Sequence, residues 1–120
     1  MSSSEKNYTG LVIGESLTDE LILNMVHIRA MKITPEQNPS DRSHIYKVGA
    51  SEDDIAKISS ILKTGYYAHF WKGSNGDEML VVFKDKIFQI DHNDKTTWRD
   101  ATQYGLVHGI PADKLDFIIE

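Results

Sequence analysis

The stretch from Tyr66 to Ile90 constrains the fold most, because it holds three apolar runs separated by two turn signals. The first turn is Gly73–Asp77 and the second is Lys84–Lys86. Asn, Asp and Gly tolerate the positive φ that tight hairpins require. Each run is about six residues long, the usual length of a strand. The stretch therefore predicts a three-stranded antiparallel meander over residues 66–90.

Segments before this stretch also have the pattern of strands. Leu11–Ile13 is a short apolar run between two glycines, and His44–Val48 has extended character. Asn24–Thr34 alternates along its length, which predicts a long strand. Its pattern places Val26, Ile28 and Ala30 on one side, and Met25, His27, Arg29, Met31 and Ile33 on the other. The polar segment Pro35–Ser43, with two prolines, is predicted to be a loop.

A first helix is predicted over about residues 52–64. The Ser51 hydroxyl can accept a hydrogen bond from the backbone of Asp54, which resembles a capping box. Apolar residues then recur at helical spacing, and Gly65 can end the helix. The residues of this apolar stripe are Ile55, Ile58, Ile61 and Leu62.

A second helix is predicted over about residues 95–108. Asp94 is the expected N-cap, and Gly109 with Pro111 supplies the stop signal. Gly105 lies inside this helix, where glycine costs about 1 kcal/mol relative to alanine. Either the helix packs closely on the sheet at Gly105 or a ligand approaches there, and close packing is favoured.

The pattern as a whole predicts an α+β fold: an antiparallel sheet with both helices packed mainly on one face. Residues 9–120 are expected to form a single domain, preceded by a disordered tail over residues 1–8. With its second face uncovered, the sheet would expose aromatic and ionisable side chains, a composition typical of binding patches. The predicted binding residues are His27, Arg29, Tyr67, His69 and Trp71. The alternative is that His69 and Trp71 are ordinary sheet residues, partly covered by the N-terminal segment.

Charge and composition exclude several classes of partner and cofactor. The net charge of −5 argues against duplex DNA or an anionic membrane. The chain has no cysteine, which excludes disulfides and thiolate-based metal sites. No cofactor, no metal and no membrane partner are predicted, and nucleic acid is disfavoured. The polar start of the chain lacks a signal peptide, so a cytoplasmic location is expected.

Catalytic signatures are absent from the sequence. The five histidines, at 27, 44, 69, 92 and 108, show no metal-type spacing. Asp91–Asp94 begins like a calcium loop, but Lys95 takes a ligand position, so a helix cap explains the segment better. The sequence therefore favours a protein that is not an enzyme.

Several short motifs are distributed along the chain: Gly14–Leu17, Val82–Ile90, Tyr104–Leu106, Gly109–Pro111 and Leu115–Phe117. Together they resemble a family of small bacterial hypothetical proteins that carries no assigned activity. The resemblance covers about Leu11 to Phe117 and implies a bacterial, intracellular setting without assigning a catalytic residue. The loop Gly73–Asp77 is a place where this chain diverges from that family.

The leading functional hypothesis is a non-enzymatic module that binds a partner protein, or forms a homo-oligomer, through the open sheet face or an edge strand. The first alternative is a small-molecule or enzymatic site between the second helix and the sheet, using His69 or His108 for proton transfer. A weaker alternative is binding of single-stranded nucleic acid to exposed aromatic rings.

Overall fold

The computed structural model describes residues 6–72 and 78–117, and an antiparallel sheet organises them. Within these residues the strands are β1 (Tyr8–Ile13), β2 (His27–Ile33), β3 (His44–Ala50), β4 (Ala68–Trp71), β5 (Met79–Phe83) and β6 (Lys86–Ile90). They lie in the order β2-β3-β1-β4-β5-β6. The helices are α1 (Glu52–Ile61) and α2 (Arg99–Val107), with 3₁₀ turns at Gly14–Ser16, Glu20–Asn24, Pro39–Asp41, Lys95–Trp98 and Ala112–Lys114. The predicted α+β class with an antiparallel sheet is confirmed.

Residues 66–90 contain β4, β5 and β6, which lie side by side in the sheet. The second predicted turn places Asp85 at a φ of +59°, directly before β6 begins. The first predicted turn, Gly73–Asp77, lies outside the described residues. The continuous meander through that turn therefore stays a prediction.

Helix α1 begins as the sequence indicates and packs on one face of the sheet. Ser51 and Asp54 form both hydrogen bonds of a capping box, at 3.2 Å and 2.9 Å. The buried side of α1 joins an apolar cluster that includes Ile58 and Phe70. The Phe70 ring lies over β1 at Gly10, where a Cβ would come within 2.1 Å of the ring. This close approach requires glycine in the central strand.

The first strand begins inside the predicted tail. Tyr8 is its first residue and is buried, so the predicted tail boundary at residue 8 is wrong at that position. Lys6 pairs with the Asp54 carboxylate at 2.6 Å and ties the start of β1 to α1. Burial acts to raise the pKa of Asp54, but its hydrogen bonds with Lys6 and Ser51 outweigh burial and lower it.

Helix α2 packs on the opposite face of the sheet, so the prediction of both helices mainly on one face is wrong. Neighbouring residues on a strand point to opposite faces. Phe70 belongs to the cluster under α1, whereas Trp71 belongs to a second cluster with Ala101 of α2 and Phe117. The physical reason is that β4 and β5 are apolar on both faces, and each face needs its own cover.

An irregularity in β2 overturns part of the predicted alternation. The register of β2 against β3 shifts between Ile28 and Ala30, as in a β-bulge. Ile28, Met31 and Ile33 pair with alternate residues of β3 and so share one face. The prediction that Met31 and Ile33 lie with His27 and Arg29 is therefore wrong.

Replacing Ile58 by alanine should lower the free energy of unfolding by about 2–5 kcal/mol, because the side chain is fully buried between α1 and the sheet. Chemical denaturation measures this loss. The control Lys57→Ala changes an exposed position of the same helix and should stay within about 0.5 kcal/mol of the wild type. Equal effects of the two variants would contradict the packing of α1.

Candidate functional site

The five predicted binding residues do share one face of the sheet. Trp71 pairs with Thr9, and Thr9 pairs with Gly49, which in turn pairs with His27. Tyr67 and His69 continue the Trp71 side, with ring centroids 5.9 Å apart. Helix α2 and the segment after it also lie on this face, which we call the α2 face.

The aromatic part of the predicted site is covered rather than open. Trp71 is 3% exposed and His69 is 7% exposed. Their rings stack at 5.7 Å, and Phe117 from the C-terminal segment lies against His69 and against Trp98. Burial removes Trp71 from any flat docking surface. Its replacement would test stability and not binding.

His27 and Arg29 lie on β2, away from the covered aromatic row, and both are exposed. The Arg29 guanidinium donates a hydrogen bond to the Thr9 hydroxyl at 2.9 Å. It also lies across Gly49, where a Cβ would come within 2.6 Å of an arginine nitrogen. The structure therefore divides the predicted site into a basic edge and a buried aromatic row.

A cleft of about 610 Å³ opens on the α2 face between these two parts. Its floor is the exposed half of β1 and β3, formed by Leu11, Ile13 and Ile45. Tyr67 and His69 of the aromatic row line one side. A cleft of this volume, with mainly apolar walls, is within the range of small-molecule sites.

The segment after α2 forms the other side of the cleft and carries its charges. Ile110 and Pro111 supply apolar contacts, and Asp113, Lys114 and Asp116 lie at the rim. The Tyr67 hydroxyl donates a hydrogen bond to the Lys114 carbonyl. Tyr67 thus ties the sheet to this segment and fixes the width of the cleft.

Burial, with the Asp116 carboxylate adding to it, raises the pKa of Tyr67 above its ordinary value of 10.0. Both effects disfavour the phenolate. Tyr67 therefore keeps its proton and acts at the cleft wall as a hydrogen-bond donor.

The two histidines considered for proton transfer lie in different cavities. His108 borders a separate space of about 160 Å³ and stacks on Tyr104 at 4.1 Å. The space beside Gly105 is filled, since a Cβ there would come within 2.7 Å of the Leu115 side chain. This confirms close packing at Gly105, with Leu115 of the segment after α2 nearer than Phe83 of the sheet. His108 does not line the cleft that His69 lines, although the two spaces share Gly65, Tyr66 and Ile110.

Other polar clusters have structural roles. His44 binds the Glu15 carboxylate through its ring at 2.6 Å and its backbone N–H at 2.8 Å. Although burial opposes it, hydrogen bonding from His44 lowers the pKa of Glu15. Asp94 caps the turn before α2 by accepting the Thr96 N–H, in line with the predicted helix cap. Within the described part of the chain, no three His, Asp or Glu side chains are grouped as metal ligands.

Sequence reasoning missed the apolar side of β2 as a candidate surface. Every residue of this strand is exposed, and Ile28, Met31 and Ile33 project from the same side of it. The bulge hid the row, because strict alternation assigns Ile28 to the opposite side. The structure shows which large apolar residues between 21 and 33 are exposed, and the sequence alone does not: they are Leu21, Met25, Ile28, Met31 and Ile33.

Comparisons with known proteins found no matching family model, no matching curated protein and no matching solved structure. The resemblance to a family of small bacterial proteins therefore stays a prediction. Within residues 6–72 and 78–117, no helix has the length and apolar character needed to cross a membrane.

Replacing Tyr67 by phenylalanine should make stability less sensitive to alkaline pH. Because the pKa of Tyr67 is raised in the folded protein, the unfolded protein loses this proton first as the pH rises. Tyr67 is neutral in the folded and the unfolded protein below about pH 10, and above that pH its ionisation favours the unfolded protein. Phenylalanine cannot ionise, so the free energy of unfolding should fall less steeply between about pH 9 and 11.

Chemical denaturation at several pH values measures this slope for the wild type, for Tyr67→Phe and for the control Tyr66→Phe. Tyr66 is the exposed neighbour of Tyr67, and Tyr66→Phe removes the same hydroxyl group from a position outside the hydrogen bond to Lys114. Burial also raises the pKa of Tyr8, but Tyr8 is present in all three proteins and cancels in the comparison. Identical slopes for Tyr67→Phe and the wild type would contradict the half-buried, hydrogen-bonded Tyr67.

Proposed function

We propose that this protein is a non-enzymatic interaction module that binds an extended segment of a partner protein along the free edge of β2. The proposal rests on the exposure of β2 and on its pairing along one edge. All seven of its residues are exposed, and among the described residues only β3 pairs with it. An unpaired strand edge offers a row of backbone N–H and C=O groups to another strand.

The two sides of β2 specify the chemistry of the segment that fits. Ile28, Met31 and Ile33 form an exposed apolar row on one side. Arg29 and Lys32 lie on the other side, toward the α2 face. A partner strand that alternates apolar and acidic residues would match both sides, because cross-strand neighbours interact directly.

Charge argues against a second copy of the chain as the occupant. Antiparallel pairing of β2 with another β2 places Lys32 opposite Lys32 when Met31 faces Ile33, and Lys32 opposite the bulged pair Arg29 and Ala30 when Ile28 faces Ile33. Like charges directly opposite each other destabilise a strand pair. An acidic strand replaces that repulsion with attraction, so a different protein is the favoured partner.

The other functional hypotheses have less support on this surface. Single-stranded nucleic acid needs exposed rings for base stacking. Trp71 and His69 are buried, which removes the platform that suggested it. The cytoplasmic location expected from the polar start of the chain, and the bacterial, intracellular setting implied by the family resemblance, remain part of the proposal.

Two capped hexapeptides test the charge rule for β2, one alternating valine with glutamate and the other alternating valine with lysine. Titration into the isotopically labelled protein, followed by NMR, should show saturable shifts at the β2 amides with the glutamate peptide. Binding of the lysine peptide should be weaker by about tenfold or more.

The variant Lys32→Glu should lower the affinity for the glutamate peptide about fivefold, because it replaces attraction by repulsion at the β2 edge. It should raise the affinity for the lysine peptide for the opposite reason. Lys57→Glu makes the same charge change on exposed α1 and should alter neither affinity. Sedimentation checks whether the free protein is monomeric. Failure of both peptides to shift β2, or a dimer that Lys32→Glu strengthens, would overturn the proposal in favour of an inert edge or self-association.

A further inference from the structure

We infer that the cleft on the α2 face is a second, separate binding site, and that it takes a small organic cation with an apolar body. The cleft lies between the sheet and the segment after α2, and its volume is about 610 Å³. It is distinct from the β2 edge, and nothing in the proposed interaction requires it.

The apolar body of the ligand is specified by the floor and walls. Leu11, Ile13 and Ile45 present half-buried aliphatic side chains to the cleft, and Ile110 faces them from the C-terminal segment. These side chains already belong to a folded surface, so filling the cleft buries apolar area without ordering a loop. An aromatic or aliphatic ring system gains most from such walls.

The positive charge of the ligand is specified by the rim. Asp113 and Asp116 supply two carboxylates there against the single ammonium of Lys114, and all three side chains are exposed. The aromatic rings of Tyr66 and Tyr67 also line the cleft, and the faces of such rings attract cations. Rings and carboxylates together favour an ammonium head over a carboxylate head.

The Tyr67 hydroxyl gives the site a defined shape. Its hydrogen bond to the Lys114 carbonyl holds the charged rim at a fixed height above the apolar floor. A ligand with its charge at one end and its ring at the other would contact the rim carboxylates and the apolar floor together. A permanently neutral molecule of the same shape is stabilised only by its apolar contacts with the floor and not by the rim carboxylates.

Three probes of matched shape test this inference: 4-phenylbutylamine, 4-phenylbutanol and 4-phenylbutanoate. Each is titrated into the full chain and followed by NMR at the amides of Leu11, Tyr67 and Ile110. The amine should produce saturable shifts at these positions, with an affinity about tenfold above that of the carboxylate and with the alcohol between them.

Two variants separate the charge rule from the apolar cavity. Asp113→Asn combined with Asp116→Asn should lower the affinity for the amine to that for the alcohol. The affinity for the alcohol should stay unchanged. Ile13→Trp fills the floor and should weaken the binding of all three probes, while Lys57→Glu on α1, which packs on the opposite face of the sheet, should affect none. Absence of saturable shifts with every probe, or equal or tighter binding of the carboxylate, would overturn the inference.

Discussion

The packing of Phe117 against the aromatic row of β4 is the contact on which the α2 face depends. Phe117 is fully buried and meets Tyr67 edge to face, with ring centroids 5.5 Å apart. Its backbone has a φ of +47°, a left-handed conformation that bulky residues rarely adopt. Burial of the ring against Tyr67, His69 and Trp98 offsets that cost. The C-terminal segment is thereby held over the sheet, where it covers the aromatic row and forms one side of the cleft.

This contact also explains why the two halves of the α2 face differ. The segment that Phe117 anchors covers the aromatic row and borders the cleft whose floor is Leu11, Ile13 and Ile45. Trp71 is buried, while Arg29 on the same face remains exposed. The α2 face of the sheet therefore has three regions: the covered aromatic row, the cleft in the middle and the bare edge of β2. Each proposed binding role belongs to one of the last two regions.

Local signals predicted the parts of the fold that local chemistry decides. Ser51 with Asp54 fixed the start of α1, and Gly109, at a φ of +88°, ends the turn after α2. The shared face of Tyr67, His69 and Trp71 followed from strand alternation alone. The helix facing that row was not predictable in this way. An apolar stripe on a helix shows that one side is buried, but not on which face of a sheet it packs.

Non-local pairing was the second limit of the sequence. β1 lies between β3 and β4, although it precedes both in the chain, and no pattern in Leu11–Ile13 specifies those neighbours. The bulge at Arg29 likewise depends on how the strand meets β3, with the guanidinium placed across Gly49. The candidate residues His27 and Arg29 were found because they alternate with apolar residues. The apolar row beside them and the cleft required coordinates, since both arise from contacts between distant segments.

Backbone hydrogen exchange in the free protein, followed residue by residue by NMR, distinguishes the covered aromatic row from the bare edge of β2. We expect slow exchange along β1, which is paired on both sides, and at the β4 amides beneath Phe117. In β2, alternate amides face β3 and should be protected, while those on the outer edge should exchange rapidly. Uniform protection along β2 equal to that of β1, or rapid exchange at His69 and Trp71, would contradict a bare edge beside a covered aromatic row.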